Sequence, residues 1–205
     1  MGRGRAPRLS PVSRPSPPPH TAVLVPVKAF SQAKRRLAEA LSPGQRARLA
    51  RDMAGGVVAA GAPLPVAVVC DDEDVASWAR RVGAEVLWRP GLGLDAAVTD
   101  GVLTLSSRGV RRVVVSHGDL PLARELAWVA DFGGVTIVPD RRDDGTNVIC
   151  VPAGAGFSFA YGPGSFRRHA AEGRRLGLGV RVVRDPLLGW DVDLPADLLL
   201  PALPG

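Results

Sequence analysis

From residue 21 onward, short β-branched and apolar runs alternate with longer stretches of helical pattern, and that alternation leaves few folds open. TAVLVPV (21–27) reads as a first strand. Ser42, Pro43 and Gln45 then open a helix: Ser42 is placed as N-cap, proline at the first helical position, and glutamine closing a capping box. This helix is predicted to run to about Gly61 and to bury Leu49, Met53 and Val57. LPVAVVC (64–70), EVLW (85–88), RRVVVS (111–116), GGVTIVPD (133–140), NVICVP (147–152) and VRVVRD (180–185) read as further strands. Between them fall helices at 75–83, 94–107, Leu122 to about Ala130, and 163–177, with a short one at the C-terminal end. Strands apolar on both faces and joined through helices imply a mostly parallel sheet covered by helices on each side, an α/β fold. There is no internal repeat, so residues 21–205 read as one domain.

The net charge of +6 invites a polyanion-binding reading, in which the basic segment grips nucleic acid or another anion. Its distribution argues otherwise. Arg3, Arg5, Arg8 and Arg14 stand without an acid in residues 1–20, so +4 of the +6 belongs to that segment and the rest is close to neutral. Aromatic content is 5%, which offers little for base stacking. The six prolines of residues 1–20 read as a disordered tail with no signal-peptide core. No apolar run approaches the ~20 residues of a membrane helix, so a cytoplasmic protein is expected. Cys70 and Cys150 read as buried small hydrophobes rather than a ligand pair.

Within the 26 basic residues, lysine appears at Lys28 and Lys34 alone. Both follow the first strand, and an ammonium on a flexible stem suits a phosphate oxygen. In parallel sheets ligands bind beyond the carboxyl ends of the strands. Asp119 follows the fourth strand in SHGDLPL, while Asp191 and Asp193, two apart in an extended WDVDLP, share a face. These three carboxylates are candidates for a magnesium ion held together with substrate phosphates. Capping of turns is the alternative the residues leave open. Asp197 fits capping better than metal binding.

DDGTN (143–147) and YGPGSFRRH (161–169) form a second polar cluster. Gly162 to Ser165 lead into a helix whose free N–H groups suit a small phosphate or carboxylate, with hydroxyls from Thr146 and Ser165. An ordinary glycine turn with its N-cap is the competing reading. GLGLDA (91–96) matches a relaxed dinucleotide pattern, but it follows the third strand and lacks an acid about 20 residues on, so no nicotinamide cofactor is expected.

Taken in order, VPVK, AKRRL, GLDAA, GDLPL, GTN, YGPGSFRRH and DVDLP resemble the 2-phospho-L-lactate and phosphoenolpyruvate guanylyltransferases of coenzyme F-420 biosynthesis. The resemblance covers residues 22–200. It implies a three-layer, Rossmann-like nucleotidyltransferase fold, similar to MobA, with a mixed, mostly parallel sheet. It also implies transfer of a guanylyl group from GTP to a small phosphorylated three-carbon acid, with release of pyrophosphate. By that resemblance Lys28, Lys34 and Arg36 hold the GTP phosphates, and Lys28, Lys34 and Asp119 are catalytic. Asp119, Asp191 and Asp193 bind Mg2+, and Thr146, Gly162 and Ser165 hold the acid. Asp95 replaces the family's asparagine and is expected to contact guanine through its two acceptor oxygens. Arg141 to Asp144 depart from the residues the family usually has before GTN. A handover of the labile product to the next transferase is expected as well. Another nucleotidyltransferase of the same fold, acting on a sugar phosphate or cofactor precursor, is the alternative within enzymes.

Overall fold

A computed structural model describes residues 20–201; apart from His20, the segment read as a disordered tail lies outside the described residues. The elements are β1 (Thr21–Pro26), α1 (Pro43–Ala60), β2 (Val66–Cys70), α2 (Glu73–Arg81), β3 (Glu85–Trp88), α3 (Leu94–Ser107), β4 (Arg112–Ser116), β5 (Val135–Pro139), β6 (Thr146–Pro152), α4 (Ser165–Arg175) and β7 (Val180–Val182). The strands form one seven-stranded sheet in the order β3-β2-β1-β4-β6-β5-β7. Its pairings are parallel except those of β6, which runs antiparallel to β4 and β5. The mixed, mostly parallel sheet expected from the sequence is therefore present.

The strand residues alternate between two apolar faces, as a two-residue period requires. Val23, Val25, Val68, Val114 and Val148 pack with α1 and α2 on one face. Ala22, Leu24, Val113, Ile137 and Ile149 pack with residues of α3 and α4 on the other. Each fully buried valine or leucine contributes about 1.5–3 kcal/mol. Burial on both sides explains why the strands lack a polar face. α1 begins as its capping box foretells: Ser42 Oγ accepts from Gln45 N, and Gln45 Oε1 accepts from Ser42 N. Met53 and Val57 are buried, while Leu49 is partly so.

One element differs in kind. The helix expected from Leu122 to Ala130 is a turn followed by a 3₁₀ turn over Ala127–Ala130. Leu126 N donates to Ala60 O at 2.9 Å, which takes that amide out of any helical ladder and ties the segment to the end of α1. The other differences are at ends: α2 begins at Glu73, with Asp72 accepting from Val75 N, and β7 ends at Val182. Cys70 and Cys150 are free and buried, as expected.

Candidate active site

β1, β2 and β4 deliver Lys28, Asp71 and the run His117–Asp119 to one edge of the sheet, just beyond their carboxyl ends. Because β6 is reversed, it brings its first residues, Thr146 and Asn147, to that same edge. His117 N donates to Asn147 O at 2.9 Å, extending the strand pairing into the site.

The loop after β1 is fixed by two apolar anchors. Phe30 is buried edge-on against Trp78, with ring centroids 5.2 Å apart, and Leu37 is fully buried. Between them Lys34 adopts a left-handed backbone, φ 54° and ψ 41°, a conformation costing roughly 1 kcal/mol or more outside glycine. The turn aims its side chain inward. Lys34 Nζ donates to Asp119 Oδ2 at 2.5 Å and to Asp193 Oδ1 at 3.1 Å. Burial disfavours the ammonium, yet the two carboxylates hold its pKa above the ordinary lysine value. Burial likewise opposes ionisation of Asp119, and Lys34 with His117 nevertheless holds it below the usual carboxylate range.

The three aspartates reach one cavity, but not as the simple metal triad expected. Among the described residues no three acidic, histidine or cysteine side chains are gathered as a metal site. The ammonium of Lys34 lies between Asp119 and Asp193, and Arg36 Nη1 stands 3.6 Å from Asp193 Oδ2. Even so, Asp119 Oδ1 and Asp191 Oδ1 are buried oxygens without a hydrogen-bond partner, although Arg141 Nη1 lies 3.6 Å from the latter. Burial and the neighbouring charge of Asp119 raise the pKa of Asp191. Two carboxylates that repel each other, with two oxygens to spare, fit a hard divalent cation. Asp197 takes the capping role: Oδ2 accepts from the N–H groups of Asp193 and Leu194 at 2.9 and 2.8 Å.

Two cavities open along this edge of the sheet. One of about 410 Å³ is lined by Thr146, Gly162, Ser165, Asp191, Asp193 and His117, among others. The second, of about 460 Å³, is lined by Lys28, Arg35, Asp71, Arg89, Gly93 and Leu94, at the start of α3. Both fall in the range of small-ligand sites. A smaller hollow, with Lys28, Lys34, His117 and Asp119 on its walls, shares Lys28 with the second cavity and His117 and Asp119 with the first.

Arg36, expected on the triphosphate, lines the first cavity beside Asp193, and two other expectations change here. Asp95, expected against guanine, lines neither cavity; its Oδ1 accepts from Tyr161 N at 2.8 Å. The amides at the start of α4, expected to be free, are spent: Gly164 N donates to Asp144 Oδ1, Ser165 N to Gly162 O and Phe166 N to Asp144 O. Gly162, at φ 95°, makes the turn that sets Ser165 at the cavity wall.

Other participants escaped the sequence reading. His117 lines two of the cavities, and its Nε2 is buried without a partner. Arg141 donates to Asp191 O at 3.1 Å, pairs with Asp197 and covers the Trp190 ring at 4.2 Å, holding the aspartate segment in place. Asp140 accepts from the N–H groups of Arg142, Asp144 and Gly145, all at 3.0 Å, which shapes the loop before β6. The signal for these was the arginine–aspartate rich run itself, whose pairings no local pattern discloses.

Residues 21–203 match the model of the family described as guanylyl transferase, CofC like. The phosphoenolpyruvate guanylyltransferase of Sphaerobacter thermophilus is 37% identical over 187 residues, covering 87% of this chain and 90% of that protein. That of Roseiflexus castenholzii is 37% identical over 179 residues, covering 86% and 85%. Among solved structures, a nucleotidyl transferase of Methanothermobacter superposes with a TM-score of 0.60 at 16% identity, covering 89% of this chain and 95% of that one. A cytidylyltransferase of Leptospira borgpetersenii gives 0.59 at 13% identity, covering 87% and 83%. The fold is that of nucleotidyltransferases.

Proposed function

The chain belongs to the CofC-like guanylyl transferase family, and from that premise we propose that it joins GTP to phosphoenolpyruvate, giving enolpyruvyl-diphospho-guanosine and pyrophosphate for coenzyme F-420 biosynthesis. The observation that carries this reading is a hollow that shares Lys28 and Leu94 with a cavity at the start of α3 and His117 and Asp119 with a cavity walled by Thr146 and Ser165.

The reaction is an in-line displacement at the α-phosphorus of GTP. A phosphate oxygen of the acid forms the new P–O bond, the bond to the β-phosphate oxygen breaks, and pyrophosphate leaves. The nucleophile is anionic near neutral pH, so no general base is needed. Lys28, exposed at the junction of the cavities, offsets charge on the departing pyrophosphate. Lys34 is the second cation there, lining the same hollow as Lys28. Thr146 and Ser165 hold the acid phosphate in line. Asp119 and Asp191, joined by Asp193, would hold magnesium, which when bound draws the two anionic reactants together and neutralises charge on the transferring oxygens. The product is a labile diphosphate, and the next transferase of the pathway is its natural recipient.

The test is pyrophosphate release from the purified chain with GTP and magnesium, supplying phosphoenolpyruvate, 2-phospho-L-lactate and 3-phosphoglycerate separately. Release with phosphoenolpyruvate is expected. Release with another acid would reassign the substrate. Silence with all three, also after adding the downstream transferase and its deazaflavin acceptor, would end the reading.

A further inference from the structure

His169 lies outside the cavity, fully buried on α4 and surrounded by the rings of Phe157, Phe159 and Tyr161 at 5.9, 6.1 and 4.9 Å. It makes two hydrogen bonds. Ala160 N donates to its Nε2 at 3.0 Å, and its Nδ1 lies 3.0 Å from Thr146 Oγ1. A backbone amide can donate and never accept, so Nε2 must present its lone pair and the ring proton must sit on Nδ1. Nδ1–H then donates to Thr146 Oγ1. The hydroxyl, already accepting from the ring, keeps its own proton to give away, and Thr146 is on the wall of the acceptor cavity.

We infer that His169 is a positioning residue for the acceptor subsite, acting through Thr146: it fixes that hydroxyl as a donor directed to a phosphate or carboxylate oxygen of the substrate. A hydroxyl free to rotate would serve donors and acceptors alike; one locked in this way selects for an anionic oxygen. Burial, with the Arg168 guanidinium nearby, lowers the His169 pKa to about 4, so the ring stays neutral and keeps this arrangement through the physiological range.

The inference rests on the acceptor assignment proposed above, and its test separates the two. Long-range 15N–1H correlations on the whole wild-type chain report the His169 tautomer directly. Protonation at Nδ1 is expected, and protonation at Nε2 would overturn the inference whatever the enzyme turns over. Titration with inorganic phosphate should shift the His169 ring nitrogens in the wild type and leave them unmoved in Thr146→Val. An unmoved wild type would also overturn it. If phosphate shifts the ring but no acid is turned over, the acceptor assignment falls and the inference stands.

In turnover, His169→Phe and Thr146→Val should each raise the KM for the acid roughly 10- to 100-fold, the range for a hydrogen bond to a charged group, with the KM for GTP unchanged. The double variant should be no worse than Thr146→Val. Additive losses, or equal rises in both KM values, would reduce His169 to a packing residue.

Discussion

Asp95 Oδ1 accepts the backbone N–H of Tyr161 at 2.8 Å, across 66 residues of chain. Asp95 sits in the first turn of α3, the helix whose start lines the cavity proposed for the nucleotide, and Tyr161 precedes Gly162 on the wall of the other. One hydrogen bond thus joins the two halves of the site.

That placement separates two roles for acidic residues. Asp71 is the carboxylate that lines the nucleotide-side cavity. Asp71→Ala should raise the KM for GTP roughly tenfold and weaken discrimination against ATP, since a carboxylate matches the guanine N1 and N2 protons. Asp95→Ala should raise the KM for the acid instead, and Asp95→Asn, which keeps an acceptor oxygen, should restore most of it. Steady-state kinetics with each substrate varied in turn distinguishes these outcomes; a GTP effect at Asp95 would return it to guanine recognition.

Lys34 holds Asp119 and Asp193 together, so Lys34→Met leaves like charges facing each other. Loss of about 1–3 kcal/mol of stability is expected near neutral pH, smaller at acid pH where the carboxylates protonate. Magnesium should then raise the melting temperature of the variant more than that of the wild type, because no ammonium competes. Equal shifts in differential scanning calorimetry would mean that lysine and metal occupy separate places.

Asp119→Ala should lower kcat by at least about 100-fold, the scale on which lost transition-state electrostatics are felt. The far-ultraviolet spectrum and cooperative unfolding should persist, since the β4 packing lies elsewhere. Activity within a few-fold of wild type would remove Asp119 from the chemistry.

Ser165→Ala should raise the KM for the acid far more than that for GTP. The reverse pattern in initial rates would mean that the two cavities have been assigned the wrong substrates.

His169 supplies a pH signature. Its folded pKa of about 4 lies below the ordinary 6.5, so the unfolded chain binds the proton more readily. Its contribution is complete above about pH 6.5 and is lost as pH falls toward 4, amounting to about 3 kcal/mol. Denaturant unfolding from pH 7.5 to 4 should therefore show a stability slope in the wild type that is shallower in His169→Phe. Parallel slopes would mean that the ring is not held neutral.

What the sequence discloses divides along physical lines. β1, β2, α1 and α3 were readable because their periodicity and caps are local, and the capping box at Ser42 and Gln45 forms as written. The segment from Leu122 to Ala130 was misread because its decisive bond, Leu126 N to Ala60 O, comes from a distant helix. The same holds in the site. Lys28, Asp119 and Thr146 follow or begin strands and Ser165 begins a helix, so their places on the sheet edge were readable from position alone. The lysine between two aspartates, the diversion of Asp95 to Tyr161 and the clasp of Arg141 on Asp197 are pairings across 56 to 159 residues, which spacing cannot express. His169 was visible as the last residue of a motif, but its task depends on which ring nitrogen meets Ala160.

The reversed strand β6 has a consequence for how such an enzyme can diversify. Along most of the sheet the working edge is made where strands finish, whereas at β6 it is made where a strand starts. The side proposed for the triphosphate is thus built on crossovers that parallel pairing forces to be long and helical. The side proposed for the acid hangs on a hairpin, residues 140–145, and on the turn before α4, neither of which carries the parallel core. Insertions there would reshape what is accepted while leaving nucleotide activation intact, so one architecture can keep its donor and exchange its acceptor.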